Sequence, residues 1–132
     1  MVSPRVIEYH HVTHNISRAN QEAARRFYRD MLGLEEIPSF QDPTGERLIW
    51  FRVGGRRQLH LVKCDGPDLT SSRHLAVLVD EFDGMVARLR AHGVRMDECE
   101  PGQFWGLRAN GLKYAFCYDP DGNRIELMEN PA

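Results

Sequence analysis

Asp119-Pro120-Asp121-Gly122-Asn123-Arg124-Ile125-Glu126-Leu127-Met128 is the stretch that decides the fold. Its first half is tight-turn chemistry. Its second half alternates, because successive side chains of a strand point to opposite faces: Ile125 and Leu127 seek a core while Glu126 looks the other way. The same alternation, with histidine at the polar position, occurs three more times. In Gln58-Leu59-His60-Leu61-Val62, Leu59 and Leu61 oppose His60; in Arg73-His74-Leu75-Ala76-Val77, Leu75 and Val77 oppose His74; in Tyr9-His10-His11-Val12-Thr13, Val12 opposes His11. The early histidines are 63 residues apart (74 − 11), and His60 and Glu126 are 66 apart (126 − 60). Two consecutive halves therefore each carry one metal-ligand type near the start and one near the end. The His11 strand has the weakest alternation, since His14 falls on its core face.

The 132 residues are enough for one domain, or two small modules sharing a core, without disulfides. A net charge of −2 gives no basic footprint for nucleic acid, and no apolar run reaches membrane-spanning length. Small molecules and a second copy of the chain are the expected partners. Cys64, Cys99 and Cys117 are odd in number and have no Cys-x-x-Cys spacing, which speaks for free thiols in a reducing cytoplasm. The N-terminus shows no secretory h-region.

The first module, 6–65, reads as a strand over 6–16, a helix over 19–32, and strands over 35–39, 47–53 and 58–64. The second, 72–129, repeats the order: a strand over 73–79, a helix over 83–92, and strands over 95–98, 114–118 and 124–129. Ala23, Ala24, Phe27, Tyr28 and Met31 give the first helix its apolar spacing, and Phe82, Met85, Val86 and Leu89 the second. Gly33 and Gly93 stand where each helix stops. The polar stretch 66–72 separates the modules. The fold class is α+β, with two tandem βαβββ modules forming a curved mixed sheet, helices on its outer face, and the four candidate ligands meeting on its inner face.

His11-Val12-Thr13, Arg26-Phe27-Tyr28-Arg29-Asp30-Met31-Leu32-Gly33-Leu34, His74-Leu75-Ala76-Val77 and the stretch 119–127 together resemble the vicinal oxygen chelate superfamily, the glyoxalase, bleomycin-resistance and extradiol-dioxygenase group. The resemblance covers nearly the whole chain and is specific for the superfamily, not for one reaction in it. It implies one divalent metal ion (Zn, Ni, Co, Fe or Mn) on His11, His60, His74 and Glu126, and a homodimer. At the His60 position, glyoxalases of the group tend to carry glutamate and methylmalonyl-CoA epimerases glutamine; a histidine there either ligates or is hydrogen-bonded beneath the site. His10, His14 and His92 read as structural.

Three imidazoles and a carboxylate suit a borderline divalent ion with positions open for a chelating substrate. Glu126 is the natural catalytic base for a proton shift. The leading reading is a glyoxalase-like lyase or isomerase passing through an enediolate-type intermediate. Asn15 stands where glutathione-dependent glyoxalases tend to carry arginine, so glutathione is not the expected thiol. One alternative uses His11, His74 and Glu126 as a facial triad, for extradiol ring cleavage or fosfomycin-type thiol transfer. Another is a non-catalytic drug-binding resistance protein. Thr13, Trp50, Tyr114 and Phe116 are candidates for substrate contact, with strand packing the plainer reading for the rings. The register of 114–118 stays open. The stretch 101–111, with Phe104, Trp105 and Arg108, is either a lid or a disordered loop.

Overall fold

A computed structural model describes residues 4–5, 8–65 and 73–131. The connector 66–72 and residues 6–7 of the first module lie outside the described residues. In chain order the elements are β1 (His11–Ser17), α1 (Gln21–Arg25), β2 (Glu35–Ile37), β3 (Leu48–Arg52), β4 (Gln58–Cys64), β5 (His74–Val79), α2 (Phe82–Ala91), β6 (Gly106–Leu107), β7 (Lys113–Tyr118) and β8 (Arg124–Glu129). The two-module order is as read from the sequence. Hydrogen bonding divides the sheet into two four-stranded halves, β1-β4-β3-β2 and β5-β8-β7-β6. Within each half the first and last strands run parallel, His11 opposite Gln58 and Thr13 opposite His60 in one, Ala76 opposite Glu126 in the other.

Alternation sorts the two faces of each sheet. Ile16, Ile49, Phe51, Leu59 and Leu61 from the first and Leu75, Val79, Ala115, Cys117, Ile125 and Leu127 from the second join one core, with Ala24, Phe27, Tyr28, Phe82 and Leu89 from the helical segments. The polar positions face away. Helix α1 is preceded by a 3₁₀ turn at Arg18–Asn20 and widens into a π turn at Arg26–Met31, where the Leu32 amide bonds the carbonyl of Phe27 at 2.9 Å. Both helical segments stop beside glycines at positive φ, Gly33 at 80° and Gly93 at 72°.

The second module differs from expectation at its edge strand. Residues 95–97 run antiparallel to β7, with bonds from Tyr118 N to Arg95 O and Asp97 N to Phe116 O, but form only a single bridge, Met96 to Cys117. The chain then returns to the same edge of β7 as β6, where Gly106 opposes Tyr114. The 101–111 stretch is therefore a pinned hairpin: Phe104 and Trp105 pack on the core, Arg90 covers Phe104 at 3.7 Å and the Lys113 ammonium covers Trp105 at 4.6 Å.

The turn 119–123 clamps the modules together. Tyr28 donates to Asp119 Oδ2 at 2.7 Å, Ser17 N and Asn20 Nδ2 donate to Asp121 Oδ1 at 3.0 and 3.1 Å, and Asn123 Nδ2 reaches Asn15 O at 2.9 Å. His14, on the core face, lies 3.1 Å from the Tyr28 hydroxyl. Burial pulls its pKa down from 6.5 to about 4.

Between those values the unfolded chain binds a proton at His14 that the folded chain refuses. The stability associated with neutral His14 is thus complete above pH 6.5 and lost as pH falls toward 4, at up to about 1.4 kcal/mol per pH unit. His14→Gln keeps a donor for Tyr28 and removes the titration, so urea midpoints of the variant should fall less steeply over this window. Parallel pH profiles for parent and variant would refute the assignment.

Candidate functional site

In the first sheet, antiparallel β3 sets Trp50 opposite His60, and parallel β1 sets Thr13 opposite His60. The His60 ring is sandwiched: its centroid is 4.0 Å from that of Trp50 with 3° between planes, and 4.0 Å from that of His11 with 16°. His60 Nε2 lies 2.8 Å from Gln58 Oε1, an acceptor, so the Nε2 proton belongs to His60. Burial, then the neighbouring His11 and His10, lower the His60 pKa to about 4 and keep the ring neutral. His11 is exposed, its Nδ1 2.9 Å from that of His10.

This stack bears on ligation. An imidazole binds a metal close to its own ring plane, along the nitrogen lone pair. Two nearly parallel planes with centroids 4.0 Å apart share no such point, so His11 and His60 as oriented cannot both bind one ion. His60 is the backing on which His11 lies. The Trp50 indole nitrogen is buried beneath it without a hydrogen-bond partner among the described residues.

In the second sheet, His74 Nε2 stands 3.2 Å from Glu126 Oε1, and Arg108 Nη2 donates to Glu126 Oε2 at 2.9 Å. Glu126 is 7% exposed. Register places Phe116 opposite Glu126 and Tyr114 two residues along on the same face. Phe116 meets the His74 ring edge-on at 5.6 Å, the Arg108 guanidinium covers Tyr114 at 3.8 Å, and that of Arg124 covers Phe116 at 3.7 Å. A glycine at 106 makes room for this: a Cβ there would fall 2.7 Å from the Tyr114 ring.

The structure thus brings the four candidate ligands together two by two. Among the described residues, no three His, Cys, Asp or Glu side chains are grouped to hold one metal ion. Among the described residues the four do not form one group within this chain: each pair belongs to its own sheet, with no ladder between the two. Thr13 is exposed on the His11 face; Trp50 is buried under His60; Tyr114 and Phe116 are half-buried beside Glu126.

Residues 8–127 match the family model described as the Glyoxalase/Bleomycin resistance protein/Dioxygenase superfamily. The chain belongs to that superfamily. A glyoxalase/dioxygenase from Nostoc punctiforme superposes with a TM-score of 0.75 at 23% identity over 100% of both chains. A lactoylglutathione lyase from Agrobacterium tumefaciens gives 0.68 at 22%, over 96% of this chain and 95% of that one. At such identities these likenesses concern the fold. The uncharacterized protein YaeR of Escherichia coli (strain K12) is 35% identical over 63 residues, 48% of this chain, so the chain spans less than half (45%) of that relative.

As a member of the superfamily the chain has two site neighbours that its sequence alone did not single out. Gln58 carried a signal, since it precedes His60 by two and shares its face. Arg108 belongs to the 101–111 stretch that the sequence marks as a lid or a disordered loop, but its pairing with Glu126 follows only once the β6–β7 register is known. None of the described helices is long and apolar enough to cross a membrane.

Aromatic contacts of this kind are worth roughly 0.5–1.5 kcal/mol each beyond burial. With two such contacts, His60→Ala should therefore lower stability by about 1–3 kcal/mol in urea unfolding, while His60→Phe retains most of it. Equal losses in both variants would show that stacking is not what His60 contributes.

Proposed function

We propose that this chain is a metal-dependent lyase or isomerase of the glyoxalase type, acting on a small oxygen-chelating substrate. Its metal would be held by His74 and Glu126 of one subunit and His11 of another. The observation that carries this reading is the pairing of His74 Nε2 with Glu126 Oε1 at 3.2 Å. Adjacent donors around an ion with bonds of about 2.1 Å stand roughly 3 Å apart, so the nitrogen and oxygen fit zinc, nickel, cobalt, iron or manganese. Such an ion, when bound, supplies Lewis acidity to adjacent substrate oxygens.

The pair is half a site. Its complement is His11, exposed on β1, an edge strand of its sheet as β5 is of the other. The face beside His74 exposes Ala76, Leu78 (65%) and Met128 (37%), an apolar surface suited to a partner. A homodimer uniting the first module of one chain with the second module of the other satisfies both requirements. Unpaired Cys64, Cys99 and Cys117 accord with a reducing cytoplasm.

In this reading Glu126 takes the proton from substrate carbon, the Phe116 edge fixes the His74 ring, and the buried His60 ring holds His11. A second reading gains from the His60 stack. With His60 outside the ligand set, His11, His74 and Glu126 are a two-histidine, one-carboxylate triad, the set used for extradiol ring cleavage or thiol transfer to an epoxide.

Mixing variants tests the shared site. His11→Ala and Glu126→Ala proteins should each lose most metal, and after unfolding and refolding together should regain about a quarter of the parental sites, since each mixed dimer holds one intact site of two. No recovery would place the site within one chain, and undiminished metal in either single variant would remove the ligand assignment.

Glu126→Gln keeps a coordinating oxygen and loses the base. Solvent-deuterium exchange into α-hydroxy-carbonyls should fall by roughly 10²- to 10⁴-fold while metal occupancy holds. Exchange persisting in the metal-loaded variant would refute the base role, and no exchange by the parent would favour the triad reading.

A further inference from the structure

The Arg108 guanidinium is positioned but not saturated. Its planar fork has five N–H donors, and the described residues give it one side-chain acceptor, Glu126 Oε2 at 2.9 Å. Nε and Nη1 face no acceptor among those residues. The group lies over Tyr114, 3.8 Å from the ring centroid, on a ring that the bare Cα of Gly106 allows to approach, and the side chain is 45% exposed. Its backbone is held by Arg108 N to Leu112 O and Gly111 N to Arg108 O, both at 2.9 Å. A held backbone, a guanidinium seated over a ring and open donors together make a receptor for a planar or tetrahedral anion.

Arg124, two residues before Glu126, serves as a contrast. Its Nη2 pairs with Asp97 Oδ2 at 3.3 Å, and Asp97 is itself held by the Tyr118 hydroxyl at 2.9 and 3.1 Å. Its Nε is buried without a partner among the described residues and its side chain is 26% exposed against 45% for Arg108, so of the two Arg108 is the one whose open donors face outward.

The geometry points to Arg108 as the residue that reads an anionic group, a carboxylate or phosphate, on the molecule bound at the His74/Glu126 face. The inference rests on the reading of that face as a substrate site. Arg108 then takes the incoming anion on its open donors while Nη2 stays on Glu126 Oε2, so the contact to the anion is a net gain. A neutral chelate leaves those donors without a partner on the ligand, so the charge of the molecule decides whether Arg108 takes part in holding it.

Titration calorimetry tests this on the full chain with malonate, succinate, malate and methyl phosphate, each with and without zinc. One charge-assisted contact is worth about 1.5–3 kcal/mol, so at least one anion should bind the parent about tenfold to a hundredfold more tightly than Arg108→Gln. Arg108→Lys, which keeps the charge and loses the fork, should fall between them, and thermal unfolding of the three proteins shows that each is folded. Equal binding to parent and Arg108→Gln for every anion, or no binding to the parent, overturns the inference. If anion discrimination survives while the parent fails to bind zinc, the metal reading falls and this one stands; zinc binding without anion discrimination gives the reverse.

Discussion

A single buried hydrogen-bond relay, His14 to Tyr28 to Asp119, holds the two modules in register. The Tyr28 hydroxyl has one proton, and at 2.7 Å from Asp119 Oδ2 that proton is spoken for. The tyrosine oxygen must then accept from His14 at 3.1 Å, so His14 Nδ1 carries a proton, and burial, which lowers the pKa to about 4, keeps the rest of the ring unprotonated near neutral pH. Asp119, 4% exposed, receives two further bonds at Oδ1 from the amides of Asp121 and Asn123 and one more at Oδ2 from Asn123 Nδ2. Burial pushes its carboxyl above the usual range and the donors pull against that. A buried carboxylate is tolerated only with such a complement. Because Asp119 also fixes the turn into β8, the clamp that joins the modules sets where Glu126 begins its strand.

What could be read from the sequence follows from how local each cause is. Face assignment depends only on alternation, so His60, His74 and Glu126 were placed opposite their core neighbours correctly, and His14 was already visible as a polar residue on an apolar face. Helix ends followed from Gly33 and Gly93. The register of 114–118 depends on which residue of β8 faces Phe116, and nothing local to β7 encodes that. The 101–111 stretch, open in the sequence between a lid and a disordered loop, is an ordered hairpin for a related reason. Nothing local to Gly106 shows that its missing Cβ is what lets Tyr114 cross the hairpin.

The candidate site shows a sharper limit. Similar spacing in the two halves, 63 and 66 residues, points to His11, His74 and Glu126 as ligands with His60 either a fourth or hydrogen-bonded beneath them, but equivalent strand positions carry different neighbours. Trp50 stands opposite His60 in one sheet and Phe116 opposite Glu126 in the other. An imidazole beside indole stacks, at 4.0 Å and 3°, and the stack captures the next imidazole as well. A carboxylate beside a phenyl ring gains nothing by stacking and reaches for donors instead. Topology made the halves alike, and side-chain chemistry made one a column of rings and the other a clamp.

That clamp restricts what the second half can bind. Glu126 has two oxygens in a site that is nearly closed to water, and each already faces a nitrogen, His74 on one side and Arg108 on the other. Removing either without replacement would leave a buried carboxylate short of a partner, which is costly in a medium of low polarizability. Any occupant of the face must therefore satisfy the oxygen it uncovers. A cation between His74 and Oε1 does so directly, since it takes both donors at once and leaves Arg108 where it is. An anion that draws Arg108 away does so only if a cation, or a proton moving to Oε2, compensates the carboxylate. The electrostatics of one buried glutamate thus favour the joint arrival of a positive centre and a negative group over the arrival of either alone.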